Sequence, residues 1–304
     1  MKDAKVIFFS ILILLIMLSC NSKPRIFKYT GKIIPGKWLR NVEVGSRSYN
    51  KSEHVKIQIF FPKNYQKKKN FRTLICLHHY KGEMYDWEKN TDIEKYANDL
   101  DFILVCPNMK TTIYETRYYP QTTNKWNSIP GGKWIGEILI PFLREQFAIA
   151  YEKRRTGILG NSIGARGAIL TASSFPRIFG AAAGLSGFYD TIAKTDNKLL
   201  IAIYGEYDNF PKRWEDDDNI IKLAVNLKDT PVFLAHGKSD WKVNFEQARL
   251  LAIRLKQLQK GNKNIYKFEY HEKKFKFHDW KLWNSMLPFM ISFFDRNLER
   301  SNRM

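Results

Sequence analysis

Cysteine is scarce in this sequence, with three residues in a chain of 304. So few thiols cannot hold a chain of this length together, which excludes a small disulfide-stabilised scaffold. No CxxC pair is present, and no group of cysteine and histidine has the spacing of a structural zinc site, so the sequence predicts no structural zinc and no bound metal. Cys76 and Cys106 fall in two apolar runs, where free buried thiols are expected and a disulfide is the alternative.

Acidic residues are also few: the sequence has 30 Asp and Glu but 50 Lys and Arg. The formal net charge is therefore +20. Internal repeats and low-complexity tracts are absent, and 44% of the residues are hydrophobic, so an intrinsically disordered chain is excluded. A net positive charge of this size is compatible with binding to nucleic acid, with binding to an anionic membrane, or with a role in solubility alone. The amino terminus distinguishes between these possibilities.

The longest apolar run, Val6 to Leu18, is too short to span a bilayer comfortably. A lysine-containing start precedes it and the small residue Ser19 follows it, which is typical of a secretory signal peptide. The stretch from Met17 to Cys20 resembles a bacterial lipobox, and in that case Cys20 becomes the lipid-bearing first residue. The alternative is an ordinary signal peptide or an uncleaved anchor.

We therefore predict a lipoprotein signal peptide at residues 1–19 and a lipidated cysteine with a polar tether at residues 20–36. The protein is expected to be exported and attached through lipid to a bacterial membrane, on the periplasmic face or the cell surface. An exported protein does not normally meet nucleic acid. The positive charge is then expected to favour anionic lipid or polysaccharide nearby.

Strand-like and helix-like segments alternate along the remaining chain. Continuous apolar runs such as Leu74 to Leu77 are typical of strands buried on both faces. The predicted strands cover residues 38–44, 55–61, 74–77, 102–106, 156–159, 180–185, 199–204, 231–235 and 265–270, and the predicted helices cover 84–100, 135–147, 163–173, 245–259 and 280–298. This alternation predicts an α/β fold, one domain over residues 37–304, with a mostly parallel central sheet and helices on both faces.

A Gly-x-Ser-x-Gly motif, Gly160 to Gly164, stands between a predicted strand and a predicted helix. In this context the serine occupies a sharp turn that exposes its hydroxyl, and the small residues after it let the helix lie close to the sheet. The helix amino terminus also presents free N–H groups to a developing oxyanion. Ser162 is therefore the candidate nucleophile, and a structural glycine-rich turn is the alternative.

A serine nucleophile needs a base, and that base needs an orienting acid. Asp240 follows the predicted strand 231–235, and His278 follows the last predicted strand. The chain order Ser162, Asp240, His278 is that of α/β-hydrolases. Because the carboxyl ends of parallel strands meet at one edge of a sheet, the three side chains are expected to lie together.

With these residues in place, the sequence resembles the putative esterase group of α/β-hydrolases, which includes esterase D and feruloyl-esterase-like domains. The resemblance covers about residues 37–297, and it is most specific at residues 140–142, 160–164, 175–181, 185–187, 235–240 and 278–280. It implies the α/β-hydrolase fold, hydrolysis of carboxylic esters without a cofactor, and Ser162, Asp240 and His278 as nucleophile, acid and base.

The resemblance also implies an oxyanion hole. One donor is the backbone N–H of Ile163. The family's usual His-Gly after the third strand is His78-His79 here, so the second donor is assigned to Tyr80, with His79 as the alternative.

Several other residues compete for these roles. Asp208 is the rival acid and His271 the rival base, whereas His236 is expected to brace the acid's loop. The pair His78-His79 could ligate a metal, but a bracing role is favoured. The acidic run Glu215 to Asp218 lacks the glycine-centred alternation of a calcium loop, so a solvated turn is expected.

The substrate is the least determined part of the prediction. Residues 107–134 form a long connection rich in aromatic side chains, which either forms a wall of the substrate pocket or packs on itself. We predict a lipid-anchored serine esterase acting on a small-molecule or polysaccharide-linked ester. The alternatives are a non-catalytic surface lipoprotein that binds polysaccharide or host matrix, and an acyl transferase or peptidase using the same residues.

Overall fold

The computed structural model describes residues 29–45, 54–67, 70–261 and 264–300. Eight strands form one sheet: β1 (Trp38–Val44), β2 (Val55–Phe60), β3 (Arg72–Leu77), β4 (Phe102–Pro107), β5 (Thr156–Asn161), β6 (Ala181–Leu185), β7 (Val232–Gly237) and β8 (Phe268–Lys273). The predicted signal peptide and Cys20 lie outside the described residues.

The strands follow the order β1-β2-β4-β3-β5-β6-β7-β8 across the sheet. The β1–β2 and β2–β4 pairs are antiparallel, and the remaining pairs are parallel. Every residue of β3, β4, β5, β6 and β7 is buried, as expected for parallel strands with both faces covered.

Helices cover both faces of the sheet. They are α1 (Asp86–Asn90), α2 (Ile93–Leu100), α3 (Gly131–Trp134), α4 (Ile140–Phe147), α5 (Ile163–Ser174), α6 (Lys198–Tyr204), α7 (Ile220–Leu223), α8 (Glu246–Gln259) and α9 (Trp280–Asn297). The apolar residues of α1, α2 and α9 form one core with one face, and those of α3, α4, α5, α7 and α8 form another core with the opposite face. The α/β fold with a mostly parallel sheet and helices on both faces is therefore confirmed.

The strand predicted at residues 199–204 is wrong, because these residues form helix α6. The Asn197 side chain accepts hydrogen bonds from the amides of Leu199 and Leu200, which caps a helix start. Leu200, Ile203 and Tyr204 are the buried residues, and this three- and four-residue spacing is that of a helix face. An apolar run of six residues carries no periodicity that separates a buried strand from a short helix.

Two other predicted helices are interrupted. The helix predicted over residues 84–100 is divided into α1 and α2, and a π-helical turn at Ile135–Leu139 joins α3 to α4. Pro141 follows this turn, and a proline ring collides with the carbonyl four residues earlier in a regular helix. The widened turn makes room for the ring.

Part of the segment predicted as a tether lies against the domain. The amide of Tyr29 donates to the Gln146 side chain at 2.9 Å, and the Tyr29 ring lies 5.3 Å from that of Phe147. Gly36 donates its amide to the carbonyl of Phe61 at 2.8 Å. Across the described segments, no helix combines the length and the apolar character that crossing a membrane requires.

Candidate active site

Ser162 occupies the sharp turn between β5 and α5. Its backbone has φ 55° and ψ −123°, a conformation that non-glycine residues rarely adopt. The turn is held on both sides: the Ser162 amide donates to the Leu185 carbonyl at 2.8 Å, and the Ser162 carbonyl accepts from Ala165 at 3.0 Å. This strained position orients the hydroxyl away from the strand.

The two glycines of the motif are required by close contacts. A Cβ on Gly160 would lie 2.2 Å from the carbonyl oxygen of Gly164, and a Cβ on Gly164 would lie 2.5 Å from the carbonyl oxygen of His78. The start of α5 therefore packs directly against the end of β3. Only glycine allows this approach.

Ser162, His278 and Asp240 form one hydrogen-bonded row. The Ser162 hydroxyl lies 2.8 Å from Nε2 of His278, and Nδ1 of His278 lies 2.6 Å from an Asp240 carboxylate oxygen. Because an ionised carboxylate only accepts, Nδ1 carries the proton and Nε2 is free to accept from the hydroxyl. The row is the geometry that a serine nucleophile and its base require.

The carboxylate of Asp240 is fully buried and saturated with donors. Its second oxygen accepts from the amides of Lys242 and Val243 at 3.0 and 2.9 Å. Burial raises the pKa of Asp240, but hydrogen bonds from His236, His278 and the Val243 amide outweigh it, so the pKa lies below the ordinary value. The group therefore remains an anion beside the imidazole.

His236 supports the acid and does not approach the serine. Its Nε2 lies 3.1 Å from the Asp240 carboxylate and 3.0 Å from the Val243 carbonyl, both acceptors, so Nε2 carries a proton. These contacts tie the loop after β7 to its own strand. The sequence predicted the bracing role of His236, but not its direct bond to the acid.

Aromatic residues at the start of α9 position His278. The Trp283 ring contacts the His278 ring edge-on, with centroids 5.3 Å apart, and Trp280 packs on Trp283 at 5.0 Å. The Trp283 indole N–H donates to the Ser186 hydroxyl at 3.1 Å. Sequence analysis did not single out Trp283; its three-residue spacing from Trp280, directly after His278, is the signal that could have identified it.

The loop that contains the predicted second oxyanion donor lies against the start of α5, where Ile163 follows Ser162. The contact between Gly164 and the His78 carbonyl brings the loop after β3 to the start of α5. Within the described residues, no hydrogen bond occupies the amides of Ile163, His79 or Tyr80. These amides are therefore available as donors, and the choice between His79 and Tyr80 stays a prediction.

His78 braces the loop after β3 from inside. Its Nδ1–H donates to the His79 carbonyl at 2.7 Å, and its Nε2 accepts from the Met109 amide at 2.8 Å. Burial lowers the pKa of His78 to about 4. In the described ranges, no group of three or more His, Cys, Asp or Glu residues is placed to hold a metal ion.

The rival residues lie elsewhere. Asp208 is exposed and follows helix α6, and His271 packs between Phe233 and Phe289 at centroid distances of 5.0 and 5.9 Å. Neither makes a hydrogen bond to Ser162 or His278 among the described residues. The row is thus formed by the residues that the sequence favoured.

The acidic run at residues 215–218 is divided among separate partners. Glu215 accepts from the Tyr207 hydroxyl at 2.7 Å, and Asp218 accepts from the Tyr204 hydroxyl at 2.8 Å. Asp216 pairs with Lys222, and Asp217 accepts from Tyr119. Asp218 is fully buried, so the solvated turn expected from the sequence is wrong at that residue.

The aromatic connection at residues 107–134 packs largely on itself. Tyr114 and Trp134 are buried, and Trp126 contacts Trp134 edge-on at 5.9 Å. The Tyr118 hydroxyl accepts from the amides of Trp126 and Asn127 at 3.1 and 3.3 Å. These aromatic side chains stabilise the connection. Among the described residues, the connection contributes Ile113 to the lining of a cavity of about 300 Å³.

This cavity of about 300 Å³ is lined by residues that neighbour the catalytic candidates. Two of them are Ile163, which follows Ser162 in the chain, and Val243, whose amide donates to Asp240. Its apolar lining residues are Ile113, Ile163, Phe188, Ala193, Leu199, Leu200, Val243 and Leu250, and its charged ones are Lys194, Lys242 and Glu246. The space suits a mostly apolar group attached to the reacting carbonyl.

A comparison with protein-family models relates the chain to one family. The model of the Putative esterase family matches residues 48–294. No curated protein matches this sequence.

Solved structures show the same fold. The substrate-bound fluorophosphonate-binding serine hydrolase F of Staphylococcus aureus is 20% identical, with a TM-score of 0.66 over 86% of this chain and 99% of that chain. A ferulic acid esterase is 16% identical, with a TM-score of 0.66 over 86% and 97% of the two chains. The S-formylglutathione hydrolase of Staphylococcus aureus is 17% identical, with a TM-score of 0.64 over 85% and 99%.

The α/β-hydrolase fold and a family match over most of the chain lead to one conclusion. This chain belongs to the Putative esterase family and is a carboxylic ester hydrolase.

Proposed function

We propose that the protein hydrolyses carboxylic esters with Ser162 as nucleophile, His278 as general base and Asp240 as the acid that orients the base. The observation that carries the proposal is the continuous row in which Ser162 Oγ lies 2.8 Å from His278 Nε2 and His278 Nδ1 lies 2.6 Å from Asp240. Each distance is short enough for a hydrogen bond before substrate binds.

The geometry supports a two-step reaction. His278 takes the hydroxyl proton as Ser162 Oγ bonds to the ester carbonyl carbon, and the imidazolium then gives that proton to the leaving alkoxide. His278 next takes a proton from water as the water oxygen bonds to the acyl carbon, and the imidazolium returns this proton to Ser162 Oγ as the acyl–serine bond breaks and the carboxylic acid leaves. The amides of Ile163 and Tyr80 are proposed to donate to the carbonyl oxygen while it carries negative charge.

The apolar cavity beside Ile163 supports a small-molecule ester with an apolar group. Eight of the fourteen lining residues are apolar, so the lining fits an apolar group better than a hydroxyl-rich sugar. Chromogenic esters of increasing acyl length test this point: kcat/KM should rise with chain length until the cavity is filled, and then fall. If kcat/KM is highest for the shortest acyl group and falls steadily with length, the proposal that this cavity binds the acyl group is wrong.

Replacing the nucleophile tests the mechanism. Ser162→Ala should lower kcat by at least about 10³ while the melting temperature is retained. Ser174→Ala is the control, because Ser174 lies on the same helix and bonds only to the Leu170 carbonyl at 2.8 Å. A fluorophosphonate probe should label the parent chain and not the Ser162→Ala variant; equal turnover by both would refute the serine mechanism.

We further propose that Cys20 carries lipid and holds the domain at a bacterial membrane. The support is the sequence pattern of residues 1–20 alone, and these residues lie outside the described ones. Mass spectrometry of the membrane fraction should find an acylated Cys20 at the amino terminus. An intact Met1 would contradict the anchor and leave the ester hydrolase unaffected.

A further inference from the structure

Two adjacent loops at the carboxyl end of the sheet form a surface that the ester chemistry does not explain. We call residues 238–242 and 273–277 the aromatic–basic rim. The loops are joined by backbone hydrogen bonds from Ser239 to the Lys276 carbonyl at 3.1 Å and from Lys238 to the Lys273 carbonyl at 2.9 Å. The first loop contains Asp240, and His278 directly follows the second, so the rim borders the active site.

Three aromatic side chains of the rim stand out into solvent. Trp241 is 77% exposed, Phe275 84% and Phe277 51%. Phe275 has a positive φ of 56°, which marks a tight turn with this ring at its apex. Rings this exposed leave apolar surface in contact with water, and a phenyl ring has no polar atom that could hydrogen-bond to it. An apolar environment outside the protein would stabilise them.

Lysines alternate with these rings. Lys242, Lys274 and Lys276 form no ion pair with any carboxylate of the described residues. The nearest carboxylates are already occupied: Glu272 pairs with Arg249 at 2.7 Å and Lys238 at 3.5 Å, and Asp279 accepts from the Leu282 amide at 2.9 Å. The rim therefore presents uncompensated positive charge around apolar rings.

We propose that the aromatic–basic rim docks on an anionic phospholipid bilayer. Exposed rings flanked by lysines are the combination that binds the membrane interface, with the rings at the boundary of headgroup and acyl chain and the ammonium groups at the phosphates. Asp240 and His278 lie at the base of the same loops, so docking would turn the mouth of the active site towards the lipid. The contact is separate from any lipid on Cys20.

The test is co-sedimentation of the full chain with sucrose-loaded vesicles. Every variant carries Cys20→Ser, so that no attached lipid contributes and the amino terminus is the same throughout. Vesicles of phosphatidylcholine alone are compared with vesicles containing about 30% phosphatidylglycerol at about 0.1 M NaCl. The parent should bind the anionic vesicles, and binding should weaken as salt is raised.

Paired variants distinguish docking from overall charge. Phe275→Ser, and separately the double change Lys274→Gln with Lys276→Gln, should each weaken vesicle binding about tenfold. Ile253→Ser, and Lys256→Gln with Lys260→Gln, are the matched controls at exposed positions in α8 and directly after it, outside the rim. These controls and Ser162→Ala should bind as the parent does.

Two results would overturn the proposal. One is equal weakening by the two double lysine changes, which would show that net charge alone attracts the chain. The other is equal binding of the parent to zwitterionic and anionic vesicles. Neither result depends on catalysis, so failure of the docking proposal is distinguishable from failure of the proposed serine mechanism.

Discussion

His278, the proposed general base, is held by contacts on three sides. Asp240 holds its Nδ1 at 2.6 Å, Trp283 packs against its ring at 5.3 Å, and Ser162 lies 2.8 Å from its Nε2. These contacts determine which nitrogen is protonated and where the free one points. His236 in β7 and His271 in β8 share none of this geometry with the serine.

Alanine substitutions should distinguish the two candidate bases. Without an imidazole at position 278 no side chain in the row can take the proton of Ser162, so His278→Ala should lower kcat by about 10³ or more. His271→Ala should keep the activity of the parent in the same ester assay, and the opposite result would transfer the role of base to His271.

The two candidate acids should separate in the same assay. Asp240→Asn removes the charge that stabilises the imidazolium and favours the wrong tautomer, so kcat should fall by up to about 10⁴. Asp208→Asn changes an exposed carboxylate after α6 and should leave kcat within a few-fold of the parent. Steady-state kinetics on one chromogenic ester measures kcat for both variants. A large loss of kcat in Asp208→Asn alone would contradict the assignment of Asp240 as the acid.

At the scale of elements, the turn between β5 and α5 depends on how closely α5 approaches β3. Gly164→Ala would place a methyl group 2.5 Å from the His78 carbonyl oxygen, so the helix or the loop must move. We expect kcat to fall by about 10² and stability by about 1–3 kcal/mol, as measured by ester turnover and denaturant unfolding.

Gly261→Ala is the control for this change. Gly261 has φ +88° and nothing within 4 Å of a Cβ, so alanine there should cost about 1 kcal/mol of stability and leave kcat unchanged. If Gly164→Ala behaves like Gly261→Ala, the close approach of α5 does not position the serine.

The elements that the sequence predicted well are those with a strong local signal. Ser162 and Asp240 follow the buried strands β5 and β7, and His278 follows the partly buried edge strand β8. Because parallel strands end at one edge of the sheet, the topology brings the three residues together. Residues 199–204 lacked such a signal, because an apolar run of six residues is compatible with either element. In the structure these residues form helix α6, which the Asn197 side chain caps and which is buried on one side only.

Contacts between distant segments could not be predicted in the same way. The bond of Trp283 to Ser186 and the saturation of Asp240 by His236 and two amides depend on how loops pack in space. The cavity beside Ile163 is likewise assembled from four separate segments of the chain. No periodicity in the sequence indicates which distant residues will be in contact.

At the scale of the whole molecule, the buried His78 makes stability depend on pH. Its pKa is about 4 in the folded chain, against an ordinary value of 6.5, because burial disfavours the charged ring. Between these values the unfolded chain binds more protons, so stability is greatest above pH 6.5 and falls as the pH is lowered towards 4. The expected loss over this range is about 3 kcal/mol.

His78→Gln tests this prediction by removing the titration. Glutamine can still accept from the Met109 amide and donate to the His79 carbonyl. Denaturant unfolding at a series of pH values should show a smaller loss of stability towards pH 4 in the variant than in the parent. If the free energy of unfolding falls equally with pH in the parent and in the variant, groups other than His78 cause the acid sensitivity.

The order of the strands along the chain has a consequence for synthesis. Ser162 and His278 are separated by 116 positions, and β8, which precedes His278, is the last strand and pairs at the edge of the sheet with β7. A growing chain that has just formed the serine turn therefore has neither the proposed acid nor the proposed base. Under the proposed mechanism we expect Ser162 to stay inactive throughout elongation, until the final edge strand and α9 have docked.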